Sequence, residues 1–130
     1  AATVFGDDTI YSTTINLVAG EKLITQHPEV MRGVLAALVR GTDFARSDSA
    51  RAVREVALAV GLDEATVKAE WDAQNFTVAL NQSLIGLLEE QARLAIRQRL
   101  VEASTVPSFR EWIHADALAA VKPDAVSVIK

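Results

Sequence analysis

The stretch from Ile10 to Arg46 constrains the fold of this 130-residue chain more than any other. It reads as a β-branched run, a turn and one long amphipathic helix. Ser12-Thr13-Thr14-Ile15-Asn16-Leu17-Val18 has the composition of a strand, and pleating would put Thr13, Ile15 and Leu17 on one face. Farther on, Met31, Val34, Leu35, Leu38, Val39, Thr42 and Ala45 recur at helical spacing, with Glu29, Arg32, Arg40 and Asp43 opposite. His27-Pro28-Glu29 marks the helix start, with Thr25 or Gln26 as cap and Pro28 in the first turn. Gly33 and Gly41 each cost a helix interior about 1 kcal/mol relative to Ala. Their presence predicts close packing at both points.

A chain of this length suggests one domain over residues 1–130. Half of it is hydrophobic and its mean hydropathy is +0.19, yet only 5% is aromatic. Ala, Val, Leu and Ile therefore make up the apolar mass, a helical-core composition with more apolar surface than a small domain can hide. An association interface is expected. The net charge of -4 and pI near 5.1 argue against nucleic acid, which needs a basic face. Without cysteine there are no disulfides and no thiolate metal sites. No apolar run approaches the roughly 20 residues of a membrane span, and Ala1 opens onto polar residues rather than a signal peptide.

Local signals place the other elements. Thr3-Val4-Phe5 and Thr9-Ile10-Tyr11 flank the turn-rich Gly6-Asp7-Asp8, which predicts a short hairpin or two strand pieces. Glu21 to Thr25 reads as a short helix ahead of the long one, which runs to about Ala45. Ser47-Asp48-Ser49 is a cap cluster for a helix from about Ala50 to Val60, with Ala52, Val53, Val56, Ala57 and Val60 as its stripe. Gly61 sits where a left-handed C-terminal cap belongs, and Asp63 caps the next helix, to about Ala73, with Val67 and Trp71 inward. These two helices form an αα-hairpin. Its second helix sets Lys68 alone against Asp63, Glu64, Glu70 and Asp72, which excludes DNA binding.

After the break at Asn75 to Leu80, Asn81 is placed to cap the longest helix, Gln82 to Val101. Its apolar arc, Leu84 to Ile96, spans about 200° and predicts a helix sandwiched between at least two others. Pro107 starts a short helix on which Phe109 and Trp112 share a face and pin the segment to the core. Asp116 to Val121 forms a last turn or two of helix, and Ala125 to Ile129 is β-capable.

Candidate chemical groups are sparse. Asp7-Asp8 reads as a turn pair, while His27 and His114 each lack neighbours at metal spacing. Glu89 and Glu90 point about 100° apart around the helix, so they do not converge as catalytic carboxylates. There is no phosphate loop, nucleophile elbow or HExxH motif. The residues call for no enzyme, no cofactor and no metal.

Taken in order, several motifs resemble one family. Ile15-Asn16-Leu17-Val18-Ala19, His27-Pro28-Glu29-Val30, Leu35-Ala36-Ala37-Leu38 and Asp43-Phe44 look like the corresponding run of solute-binding proteins of the nitrate/sulfonate/taurine ABC-importer group, which includes thiamine-precursor binders. Gly61-Leu62-Asp63, Phe76 to Leu84, Gln91-Ala92-Arg93 and Val106-Pro107-Ser108-Phe109-Arg110 follow in the family's order. Val121-Lys122-Pro123-Asp124-Ala125-Val126 is similar to the family's terminal motif. Each motif is short; their order carries the resemblance across nearly the whole chain.

The resemblance implies a type II periplasmic-binding-protein fold, of which this chain would be the C-terminal portion of a bilobed protein at least roughly twice as long. A mainly α chain with a short β hairpin or strand near the N-terminus, part of an α/β lobe, is the expected fold class. The implied partners are a small polar or anionic solute, an ABC permease and the missing N-terminal lobe, with self-association of the isolated portion. The implied location is periplasmic or extracytoplasmic, with a membrane anchor on the longer protein. Thr13 and Thr14, near where the chain would cross between lobes, are the candidate ligand contacts. The alternative is a self-standing helical interaction domain that offers an apolar groove to a partner helix. The β-rich ends separate the two readings, because a helical bundle has no use for them.

Overall fold

In the computed structural model, which describes residues 13–128, the chain is mainly helical. Among the described residues six α-helices follow in order: α1 (Glu21–Gln26), α2 (Pro28–Ser47), α3 (Ser49–Val60), α4 (Glu64–Trp71), α5 (Gln82–Arg97) and α6 (Asp116–Val121). Two 3₁₀ turns, Phe109–Trp112 and Pro123–Ala125, bracket α6. The hairpin expected over Thr3 to Tyr11 lies outside the described residues, as does the Asp7-Asp8 pair.

α2 is the hub and packs against α1, α3 and α6. Pro28 stands at its first position, as expected, but neither Thr25 nor Gln26 caps it. His27 occupies the junction, closing α1 and opening α2 without a side-chain cap. The Thr25 hydroxyl instead donates back to the Glu21 carbonyl at 2.9 Å. At the far end Asp48 closes α2 and caps α3, its carboxylate accepting from the Arg51 N–H at 3.2 Å.

The αα-hairpin forms as its caps dictate. Gly61 takes the left-handed conformation, φ 71°, and the Leu62 N–H reaches the Ala57 carbonyl at 3.1 Å. Asp63 then opens α4, accepting from the Thr66 N–H at 2.9 Å and the Thr66 hydroxyl at 2.6 Å. Between the helices Val53, Ala57 and Val67 form a buried cluster against which Trp71 packs. Phe76 extends that cluster, its ring 4.5 Å from Trp71 centroid to centroid.

α5 departs from expectation twice. It ends at Arg97, four residues before Val101, because Arg99 adopts φ 55°. The Arg99 N–H bonds Ile96 at 3.0 Å and the Leu100 N–H bonds Ala95 at 2.9 Å, the paired closure of a left-handed cap. Nor is α5 sandwiched: among the described elements it packs against the Phe109–Trp112 turn alone. That turn holds Phe109 half-buried but leaves Trp112 77% exposed, so only one ring of the expected pair is pinned.

Strand structure is nearly absent among the described residues. Residues 13–18, expected as a strand, have no regular structure, and Ile15 is 97% exposed. β-branched residues favour a pleat only where a neighbouring strand supplies the ladder, and no described segment does so here. The β-capable C-terminal run makes one parallel bridge, Leu80 to Val126. The Leu80 N–H donates to Ala125 at 2.7 Å, and the Ser127 N–H donates to Leu80 at 2.9 Å.

Candidate functional site

The sequence nominates few chemical side chains, and the fold leaves them apart. Thr13 and Thr14 are exposed, in the irregular chain ahead of α1. His27 Nδ1 lies 3.5 Å from Glu29 Oε1, both exposed, at the α1–α2 junction. Glu89 and Glu90 both turn to Arg93, at 2.9 and 2.8 Å, so each is committed to an ion pair on the α5 surface. Asp43 likewise pairs with Arg46, one turn on. Among the described residues no group of three metal-ligating side chains comes together, and no helix is long and apolar enough to cross a membrane.

Asp63 has a perturbed carboxyl group. The Thr66 hydroxyl and then the Thr66 N–H hold its pKa below the ordinary 3.8, because both bonds favour the charged form. That perturbation belongs to the helix cap. Beside it are two open depressions on the α3–α4 hairpin, of about 360 and 250 Å³. They share Arg54 and Glu64; Lys68, Trp71 and Asp72 line the second. Both are mixed in charge and open to water, the character of a solvated helix pair rather than an enclosed ligand pocket.

The distinctive surface property is apolar exposure. The chain exposes 10111 Å², against about 6,700 Å² expected of a folded monomer of its mass. No described side chain is fully enclosed, and the core consists mainly of Ala and Val with Met31, Ile85 and Leu118. Leu17, Val18, Leu58, Leu62, Leu100, Val101 and Trp112 all stand open.

α2 shows why. Its apolar and small residues, from Gly33 round to Val39, cover about 240° of the helix surface at 100° per residue. α1, α3 and α6 pack on α2, where Met31 and Ala45 are buried near its two ends and Leu35, Val39 and Thr42 are half-buried. Val30, Val34 and Leu38 remain exposed, although Val34 and Leu38 are expected inward. Gly33 and Gly41 do not pack closely either: among the described residues a Cβ on either would meet nothing within 4 Å. The same shortage holds on α3, where Ala52, Val53 and Ala57 are buried but Val56 and Val60 are exposed. Periodicity gives the width of an apolar arc; it does not say which sector the chain itself can cover.

No family model, no curated protein and no solved structure matches this chain.

Proposed function

We propose that this chain is the C-terminal lobe portion of an extracytoplasmic solute-binding component of an ABC importer, of the nitrate/sulfonate/taurine type. The observation that carries the reading is the uncovered apolar surface. The α2 arc is wider than α1, α3 and α6 can cover, and among the described elements α5 packs against a four-residue turn alone. Faces of this kind need further polypeptide to complete a core. The Leu80–Val126 bridge supports the same reading, because parallel pairing is a feature of sheets covered on both faces. The ordered motifs from Ile15 to Val126 supply the family to which the missing polypeptide would belong.

On this reading the longer protein binds a small polar or anionic solute between two lobes and passes it to a membrane permease, with no catalytic step. It works in the periplasm or outside the cytoplasmic membrane, where a lipid anchor can hold it. The Thr13 and Thr14 hydroxyls are the contacts this portion would offer the solute. Calorimetric titration of the natural gene product with taurine, an alkanesulfonate, nitrate and a thiamine-precursor pyrimidine tests the reading. Saturable binding of one of them by that product, with none by the isolated chain, is the expected result. Micromolar binding by the isolated chain would overturn the division into lobes.

One observation favours a second reading. Residues 13–18 form no strand, so the described residues include a set of packed helices without a sheet. A self-standing helical interaction domain would have that form, and its exposed faces would serve a protein partner. A natural product no longer than this chain would favour it.

A further inference from the structure

We propose that Asn75, in the connection between α4 and α5, is an acceptor site for an N-linked oligosaccharide. The inference rests on the extracytoplasmic location proposed above, because such glycans are attached to chains that have crossed a membrane. Asn75-Phe76-Thr77 is the tripeptide this transfer requires: an asparagine, any residue but proline, then a hydroxyl. The tripeptide alone recurs by chance, and the local fold adds what chance does not supply. Residues 74–79 form neither helix nor strand, and Asn75 and Thr77 are both exposed. Phe76 between them is half-buried, its ring 4.5 Å from Trp71, so the middle residue anchors the segment while its neighbours face water. The Thr77 N–H closes on the Asn75 carbonyl at 2.9 Å, a γ-turn that brings the two side chains together.

The side chains are arranged for the reaction. The Thr77 hydroxyl donates to Asn75 Oδ1 at 2.8 Å, and Asn75 Nδ2 donates to nothing among the described residues. In the transfer Nδ2 bonds to C1 of the first sugar, and the bond from C1 to the oxygen of a lipid pyrophosphate breaks. The lipid pyrophosphate leaves with the electron pair, and Nδ2 gives up one proton to a base of the transferase. A hydrogen bond into Oδ1 stabilises the negative charge that the amide develops as that proton departs. Asn81-Gln82-Ser83 has the same sequence form, and Ser83 donates to Asn81 Oδ1 at 2.6 Å. Asn81, however, opens α5 and Ser83 lies inside the helix, so a transferase closing around that pair must unwind the first turn. At Asn75 no secondary structure has to open.

The full chain, synthesised behind a cleavable export leader with glycosylating microsomes, tests the site. The leader supplies the export, so the result is independent of where the natural protein works; solute titration of the longer product tests the transport reading by itself. Chains protected from added protease should carry a glycan that peptide-N-glycosidase removes. Removal in heavy-oxygen water should place the heavy oxygen on position 75, read by peptide mass spectrometry. Thr77→Ala should lose that label, Thr77→Ser should keep it, and Asn81→Gln should leave it unchanged. Asn75→Gln should lose the glycan at this position while far-UV circular dichroism stays that of the unaltered chain. Because the amide faces water, the glycosylated chain should unfold at the same urea midpoint as the unmodified one. Protected chains without a glycan at Asn75, Thr77→Ala chains modified as fully as the unaltered chain, or a glycosylated chain that no longer folds would each overturn the proposal.

Discussion

Gly61 and Arg99 occupy the same backbone conformation at two helix ends, and exchanging their residue types should move stability in opposite directions. Gly61 has φ 71° and Arg99 φ 55°. Both helices close in the same way, the residue after the left-handed one bonding back five positions: Leu62 to Ala57 at 3.1 Å and Leu100 to Ala95 at 2.9 Å. Placing Ala at position 61 brings no steric contact, since a Cβ there meets nothing within 4 Å. The cost of Gly61→Ala is therefore the conformational term alone, about 1 kcal/mol. Arg99→Gly relieves the same term, partly offset by the greater freedom of Gly in the unfolded chain, for a net gain of about 0.5–1 kcal/mol. Urea unfolding followed at 222 nm should show the midpoint falling for Gly61→Ala and rising for Arg99→Gly, with unchanged slopes. A neutral Gly61→Ala, or an Arg99→Gly that destabilises, would refute the shared-cap account.

Other consequences follow from the packing. Val67→Ala removes the α4 side chain that meets Val53 and Ala57, and should cost about 2 kcal/mol in the same unfolding assay. Arg93→Ala breaks two ion pairs whose partners are substantially exposed, and should cost less than about 1 kcal/mol. The Asp63 carboxyl has its folded pKa below the ordinary 3.8, so its contribution is full above that value and lost as pH falls through the folded pKa. The Tm difference between the natural chain and Asp63→Ala should thus be constant near neutrality and shrink as acid is added below about pH 4.

Helix boundaries were legible where a residue type has one local job. Gly61 and Asp63 each read as caps from the sequence and each serves as one, and within the cap cluster Ser47-Asp48-Ser49 it is Asp48 that caps α3. The end of α5 was not legible, because a left-handed closure at Arg99 carries no glycine to announce it. Tertiary coverage was the larger gap. Val34 and Leu38 share the helical rhythm of Met31 and Leu35, and only the positions of α3 and α6 decide which of them is covered. The run Thr13 to Val18 has strand composition without a described neighbour to pair with, whereas Leu80 finds Val126, 46 residues on, beyond any local signal. The exposed face of α2 could have been suspected from its glycines. A helix that keeps Gly33 and Gly41 at a stability cost is adapted to a close neighbour, and that neighbour is not within the described chain.

The central claim is that the uncovered faces of this chain belong against further polypeptide of the same protein. Intact mass spectrometry of the natural gene product tests it most directly. The claim predicts a product of at least roughly twice the 14.0 kDa of this chain, with this sequence as its C-terminal portion. A natural product of 14.0 kDa would contradict it.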